Sequence, residues 1–443
     1  MAASGPIQRA VTGSGTAAPR VLLVAATTGY QIRSFGEAAA RAGVALMLAS
    51  DRCDHLDDPW RDGAVPVRFH DEAASVRAVV DALGHTRLAG VLAVGDRPAV
   101  LAASIATHLG LPGNPPAAAA ASRNKLSSRR AFAGAGLPTP WFRVEPVTAD
   151  AATLAQALVY PAVIKPLALS GSRGVMRVDS PAEFVVAFER LVRLLASLDV
   201  RMERDAVHDQ VLVEAFVPGR EFAVEGLLTQ GDFRVLAVFD KPDPLDGPVF
   251  EETIYVTPSR ASDAEQQAIG RAVALASHGL GLRHGPIHAE CRVNADGVYV
   301  LEVAARPIGG LCAAALRFES SEGVAASLED VLLRHATGGD VDGYLREARA
   351  SGVMMIPIPR AGVYRGEEGV DAARTIAGID DVRITAKRDT VLVPLPEGRS
   401  YLGFIFAHGA TPVAVEQSLR QAHGCLRFTI DRAITVAADG PLP

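Results

Sequence analysis

From Arg20 onward, short apolar runs alternate with Ala-rich stretches of helical period. VLLVAATTGY reads as a strand and turn, SFGEAAARAG as a helix, VALMLAS as a strand, AASVRAVVDAL as a helix and LAGVLAVGD as a strand. Continuous apolar strands separated by helices predict a parallel α/β unit, because such strands are covered on both faces. The turn after the first strand carries only Gly29 in place of G-x-G-x-x-G. This Rossmann-like half is therefore expected to hold a substrate or simply to pack, not to bind a dinucleotide.

The stretch GLPGNPPAAAAASRNKLSSRRAFAGAGLPTP, residues 110–140, is rich in Gly and Pro at both ends with a helix between, which predicts a domain junction. A mixed α/β segment follows to about His335. Beyond it, MMIPIP, TVLVPL and YLGFIFAHG read as strands and TPVAVEQSLRQAHGCL as a helix capped near Thr411, predicting a smaller α+β domain. The expected division is a loose tail over 1–19, a Rossmann-like domain over 20–115, a larger α/β domain over 116–335 and the α+β domain over 336–443. No internal repeat of fixed period is present.

Composition narrows the function classes. Hydrophobic residues make up 49% and charged residues 21% of 443, ordinary usage for a folded multidomain protein. Forty-four basic against fifty acidic residues give a net charge of −6 with no Lys/Arg block, so no nucleic-acid partner is expected. Cys53, Cys291, Cys312 and Cys425 show neither metal-ligand spacing nor disulfide density, which fits a reducing cytoplasm. The longest apolar runs fall far short of the roughly 18 residues of a membrane span, and the first nineteen residues lack a signal-like apolar core.

Three motifs carry candidate chemistry. In IHAECRVNADGVYVLEVAARPIGG, residues 287–310, alternation puts His288, Glu290 and Arg292 on one strand face, and Val300, Glu302 and Ala304 on one face of the next, with NADG as the hairpin turn. Two carboxylates on adjacent strands repel and raise each other's pKa unless a cation lies between them, and oxygen-only ligands beside phosphate suit Mg²⁺. Arg306, a permanently charged planar fork, suits a transferring phosphoryl group or a substrate carboxylate. A solvated surface hairpin is the plain alternative.

In YPAVIKPLALSGSRGV a strand ends in Lys165 and a loop with Ser170, Gly171, Ser172 and Gly174 follows. Small residues let backbone N–H groups close on phosphate oxygens, though the spacing excludes a P-loop. In VLVEAFVPGREFAVEGLL the Pro218-Gly219 turn pairs two strands, the first offering backbone groups for a purine edge, with Glu221 placed for ribose hydroxyls.

With Lys125 ahead of them, these pieces occur in an order that resembles the ATP-grasp family: a lysine, Val-Ile-Lys-Pro with a glycine loop, Val-Glu-x-Phe-Val-Pro-Gly-x-Glu, His-x-Glu and Leu-Glu-Val-x-x-Arg. The resemblance covers about residues 20–335, and residues 336–443 resemble the C-terminal domain of the amino-acid ligase branch. It implies an α/β and α+β multidomain ATP-grasp fold, with Lys125 and Lys165 on ATP phosphates and Ser170 to Gly174 as a flexible lid. Glu214, Ala215, Phe216 and Val217 would line the adenine slot, with Glu221 on the ribose. Glu290 and Glu302 would hold Mg²⁺, or Mn²⁺ in its place, and Arg306 would steady the phosphoryl group. Many relatives carry Asn two residues after the second metal Glu, where this chain has Ala304.

The implied activity is an ATP-dependent carboxylate–amine ligase that forms an amide, expected to be a dipeptide bond, through an acyl phosphate, releasing ADP and phosphate. Glu252 matches the carboxylate that grips the first amino acid's ammonium, on a strand that carries Glu251 and Glu252 on opposite faces. His288 is placed to approach the reacting groups or to serve as a satisfied core histidine. A homodimer is the family expectation. Within the fold the alternatives are a biotin-carboxylase-like or purine-pathway ligase, the former weakened by the absence of an Ala-Met-Lys-Met carrier segment. A different class is a nucleotide-binding regulatory or scaffold protein that retains the fold without chemistry, which would be free to lose Lys125, Lys165, Glu290, Glu302 and Arg306.

Overall fold

The structure is a computed structural model that describes residues 18–26, 31–51 and 64–432. The expected tail, Gly29 and Cys53 lie wholly or mostly outside these residues.

The N-terminal unit comprises β1 (Arg20–Ala25), α1 (Ile32–Ala42), β2 (Ala45–Ser50), β3 (Val65–Pro66), α2 (Glu72–Leu83), β4 (Gly90–Val94) and α3 (Asp96–His108). Its strands form a parallel sheet in the order β3-β2-β1-β4, as the alternating pattern predicts. Five consecutive buried residues in β1 reflect cover on both faces. The chain leaves β4 through Gly95, whose φ of 103° disfavours a side chain, and starts α3 at Asp96. Asp96 thus stands beyond the carboxyl end of a parallel strand, where open α/β sheets place their working residues.

After α4 (Pro116–Arg123), Asn124 caps α5 (Lys125–Gly134) by accepting from the N–H groups of Leu126 and Ser127. The cap fixes Lys125 as the first helical residue. A four-stranded antiparallel sheet follows, built from β5 (Phe142–Pro146), β6 (Ala162–Pro166), β7 (Met176–Val178) and β8 (Gln210–Ala215) in the order β5-β8-β6-β7. Helices α6 (Ala151–Gln156) and α7 (Pro181–Leu195) pack with it around one apolar cluster.

The largest sheet contains β9 (Arg220–Thr229), β10 (Asp232–Asp240), β11 (Ile254–Thr257), β12 (Gly285–Asn294), β13 (Gly297–Ala304), β14 (Ala350–Ile356), β15 (Ile379–Ile384) and β16 (Gly403–Gly409). Their antiparallel order is β13-β12-β9-β10-β11-β14-β16-β15. Helices α8 (Asp263–Leu280), started by a Ser262–Glu265 capping box, α9 (Leu328–Ala336) and α10 (Pro412–Cys425), capped by Thr411, cover it. The β11–β14 pairing carries one continuous sheet across residue 335. The C-terminal segment is therefore joined to the central unit by a strand ladder.

Two sequence expectations are corrected here. Pro218-Gly219 does not close a hairpin: β8 pairs with β5 and β6, whereas β9 pairs with β10 and β12 in the other sheet. Pro218 has no N–H to continue a ladder, and Gly219, at φ 128°, lies so close to the Val293 carbonyl that a Cβ would come within 2.4 Å of its oxygen. The segment is the corner between two facing sheets. TVLVPL is a strand only at Val391–Leu392, since Pro394 and Pro396 cannot donate to a ladder, and the following loop runs toward the cleft.

Candidate functional site

The floor of the cleft is set by register. Between β9 and β12, Glu221 faces Arg292, Ala223 faces Glu290, and Glu225 faces His288. Between β12 and β13, Glu290 faces Glu302 directly. Alternation sends Phe222, Val224, Ala289 and Cys291 to the core behind these residues. In β13 a bulge leaves Leu301 unpaired between Val300 and Glu302. One extra residue reverses the alternation, so Val300 joins Val303 in the core instead of sharing a face with Glu302.

These charges compensate one another. His288 bonds Glu225 through Nδ1, and its Nε2 lies 3.7 Å from Glu290. Burial alone would lower the imidazole pKa, but Glu225 outweighs it and brings the value to about 9, so His288 is an imidazolium at neutral pH. Lys241, just past β10, donates to Glu221 at 2.8 Å and Glu252 at 2.6 Å, with Glu290 at 3.2 Å. Burial and the neighbouring Glu290 raise the Glu252 carboxyl to about 7 against the pull of Lys241. The Tyr255 hydroxyl donates to it at 2.8 Å. Around Glu252 stand Cys312, Met355 and Phe404 from one apolar cluster, with Tyr401 against them. Glu251 and Glu252 precede β11 rather than alternating along it, and only Glu252 reaches the cleft.

The opposite wall comes from the four-stranded sheet. Glu214 is gripped by Arg129, Nε at 2.7 Å and Nη2 at 3.0 Å, and is ion-paired with Lys165. Burial would raise this carboxyl, but Arg129 and then Lys165 hold it at about 2. Burial lowers Lys165 to about 8, with Glu214 opposing the shift. The N–H groups of Ala215 and Phe216 bond the carbonyls of Trp141 and Pro161, so these two donors are already engaged. Phe216 and Phe250 stack on each other with ring centroids 6.4 Å apart, Arg292 lies over both, and with Val163 and Val175 they give the cavity an apolar wall.

The glycine loop caps this wall. Gly171 and Ser172 adopt left-handed backbone at φ 64° and 54°, a conformation a serine rarely takes. Gly174 does not belong to the cleft. A Cβ there would crowd Leu191 and Leu194, and the residue's N–H donates to the Pro396 carbonyl at 2.8 Å, so here Gly174 anchors the loop rather than lining the cavity. Arg173 donates to the Glu397 carbonyl and pairs with Asp199, each at 2.8 Å, and Arg190 pairs with the Glu397 carboxylate. The loop is thereby fastened to the C-terminal loop.

One cavity of about 320 Å³ joins floor, wall and loop, and every residue singled out from the sequence lines it except Gly174. Sequence reasoning missed Arg129, Lys241, Phe250 and Asp96, and it put Arg292 on the correct strand face without giving it a role. Asp96 bonds Arg306 across the domain boundary, Oδ1 to Nε at 2.9 Å. For Lys241 a signal exists in its position directly after a strand, but its partners are distant in sequence.

The donor set fits a hard divalent cation. Glu290 and Glu302 are directly opposed and both reach the cavity; Lys125 stands 3.3 Å from Glu302, while Glu290 has His288 at 3.7 Å and, at 3.2 Å, Lys241, which it shares with Glu221 and Glu252. Glu214 and Glu221 are instead bound by guanidinium groups. Carboxylate oxygens of Glu221, Glu252 and Glu290 also lie within 4.8 Å of one another, so Glu290 is common to both arrangements. Ala304, opposite His288, contributes no ligand.

Comparison with known proteins agrees with this layout. Residues 36–113 match the ATP-grasp N-terminal domain, 158–315 the ATP-grasp domain and 354–431 the L-amino acid ligase C-terminal domain 2. The crystal structure of an L-amino acid ligase from Bacillus licheniformis superposes with a TM-score of 0.79 at 25% identity, over 94% of this chain and 100% of that one. The uncharacterized protein y4rH of Sinorhizobium fredii is 25% identical over 77% of this chain and 68% of its own length. A D-alanine--D-alanine ligase of Marinobacter nauticus is 31% identical over 34% of this chain, which spans 48% of that relative. No helix among the described residues is long and apolar enough to cross a membrane.

Proposed function

The chain belongs to the ATP-grasp superfamily, in its L-amino acid ligase branch, and from that premise we propose that it joins the carboxylate of one amino acid to the amine of a second substrate, with ATP converted to ADP and phosphate. The observation that carries this reading is the single cavity in which Lys125, Lys165, the 170–172 loop, the Glu290–Glu302 pair, Arg306 and Glu252 converge.

Adenine lies against the apolar wall of Val163, Val175, Phe216 and Phe250, with Glu221 toward the ribose. Lys125 and Lys165 receive the phosphates, Lys125 exchanging Glu302 for them. Glu290 and Glu302 would hold Mg²⁺, which when bound neutralises phosphate charge. The substrate's ammonium pairs with Glu252, and its side chain lies among Tyr255, Cys312, Met355, Tyr401 and Phe404, a setting that favours an uncharged apolar group.

In the first step a carboxylate oxygen attacks the γ-phosphorus of ATP and the bond to the β-phosphate oxygen breaks, leaving ADP and an acyl phosphate. The amine then attacks the acyl carbon, loses a proton, and phosphate departs with the oxygen that came from the acid. The chain contributes positioning and charge compensation, with Arg306 on the transferring group and the closed loop excluding water. Phosphate release from pairwise amino-acid mixtures with Mg-ATP, followed by mass spectrometry, tests the reading. A product equal to both substrates minus water is expected. No turnover with any pair, in protein that binds Mg-ATP, would count against it.

A further inference from the structure

Six cavity-lining side chains can carry positive charge: Lys125, Lys165, His288, Arg292, Arg306 and Arg399. Five are matched to protein carboxylates, namely Glu302, Glu214, Glu225, Glu221 and Asp96 in that order. Arg399 alone among them forms no hydrogen bond or ion pair with a described residue; it also borders the adjoining pocket with Asp199, whose carboxyl its charge helps to lower but which Arg173 pairs at 2.8 Å. It is exposed at the rim.

The backbone that presents it is held. Two residues before it, Glu397 is bound by Arg173 and Arg190, and the Pro396 carbonyl accepts from Gly174. Two residues after it, Tyr401 turns into the cavity and packs on Phe404, ring centroids 6.2 Å apart. A guanidinium with no hydrogen-bonded carboxylate is thus set on an anchored loop that borders the cavity holding both the glycine loop and Glu252.

We infer that Arg399 binds the carboxylate of the amine-donating substrate, which makes that substrate an amino acid; the inference rests on the ligase reading. The first substrate's carboxylate is consumed in the reaction, so it needs no lasting cation. The second substrate's carboxylate survives into the product, and it enters a cavity bearing Glu252, Glu290, Glu302 and the ATP phosphates. Without a dedicated cation it would be repelled. A planar fork binds a carboxylate through two parallel hydrogen bonds, and a rim position suits the group that arrives after activation and leaves with the product.

The test compares, with one acid and Mg-ATP, an amino acid and its α-carboxamide as amine donors for the wild type, R399M and R399K. The wild type is expected to prefer the free carboxylate. R399M should reduce the kcat/KM ratio between the two donors by about tenfold or more, through the amino acid's KM, and R399K should restore part of it. An unchanged ratio, or a loss confined to the KM of ATP, overturns the assignment and gives Arg399 to the phosphates. Acid-dependent hydroxamate formation by the wild type with hydroxylamine checks the ligase reading separately. If no acid yields hydroxamate, both fall; if hydroxamate forms and the ratio is unmoved, only Arg399 is wrong.

Discussion

Asp96 and Arg306, 210 residues apart, form a two-point contact that ties the N-terminal sheet to the cleft: Oδ1 accepts from Nε at 2.9 Å and Oδ2 from Nη2 at 3.4 Å. The third guanidinium nitrogen donates to the Pro307 carbonyl. The orientation of Arg306 is therefore dictated by a domain none of whose described residues lines the cavity. Burial disfavours the Arg306 charge, but Asp96 outweighs it and raises the pKa above its usual value.

Asp96→Asn keeps the shape and removes the charge. If Arg306 acts on the transferring group, kcat should fall by about tenfold to a thousandfold, as for loss of an oriented transition-state donor, with a smaller change in the KM of ATP. Steady-state kinetics decide this, and an unchanged kcat would return the pair to a purely structural role.

Lys165 sets a pH dependence. Its free-protein pKa of about 8 lies below the ordinary 10.5, so it is charged below pH 8 and neutral above. Bound phosphate favours the charged form and lifts the pKa. Nucleotide affinity should then be full below pH 8 and decline by up to about tenfold per pH unit above it, with proton uptake on binding. Calorimetry in buffers of different ionisation enthalpy reads the uptake, and Lys165→Met should abolish it.

Glu214 stabilises the fold. Arg129 is fully buried, and Glu214→Gln would leave its charge uncompensated, at a cost of about 3–5 kcal/mol in chemical denaturation. The double change Glu214→Gln with Arg129→Met should recover much of that loss. Because the carboxyl is depressed to about 2 from 4.5, its stabilisation is present above pH 4.5 and is lost as pH falls through 2. Equal acid sensitivity in wild type and the double variant would refute this account.

Glu397 couples the two loops. Glu397→Ala removes the Arg190 pair, which is partly exposed and worth no more than about 1 kcal/mol of stability. Its larger effect should be on water exclusion: ADP formed per amide should rise above one as the acyl phosphate hydrolyses. A ratio held at one would show that the loop closes without this contact.

The sequence by itself determined the local elements and the order of the functional groups. Apolar runs and helical spacing act over a few residues, which is why β1, α1, β2, α2 and β4, the Asp296-Gly297 hairpin and the Thr411 cap were legible. That hairpin put Glu290 and Glu302 on adjacent strands, but its register alone sets Glu290 against Leu301, and the direct opposition of the two carboxylates came from the Leu301 bulge. The tertiary structure alone decided what neutralises each charge. Arg129, on a helix, meets Glu214 across 85 residues, and Lys241 gathers three carboxylates on or beside neighbouring strands of the large sheet, contacts that depend on helix packing and strand order. It also decided the exceptions to local pattern. The Leu301 bulge turned Val300 inward, Pro218-Gly219 sent adjacent strands into different sheets, and Pro394 and Pro396 released a would-be strand to carry Arg399 to the cleft. Periodicity specifies which face of an element is apolar; the packing of those faces specifies which distant polar groups then share one buried space.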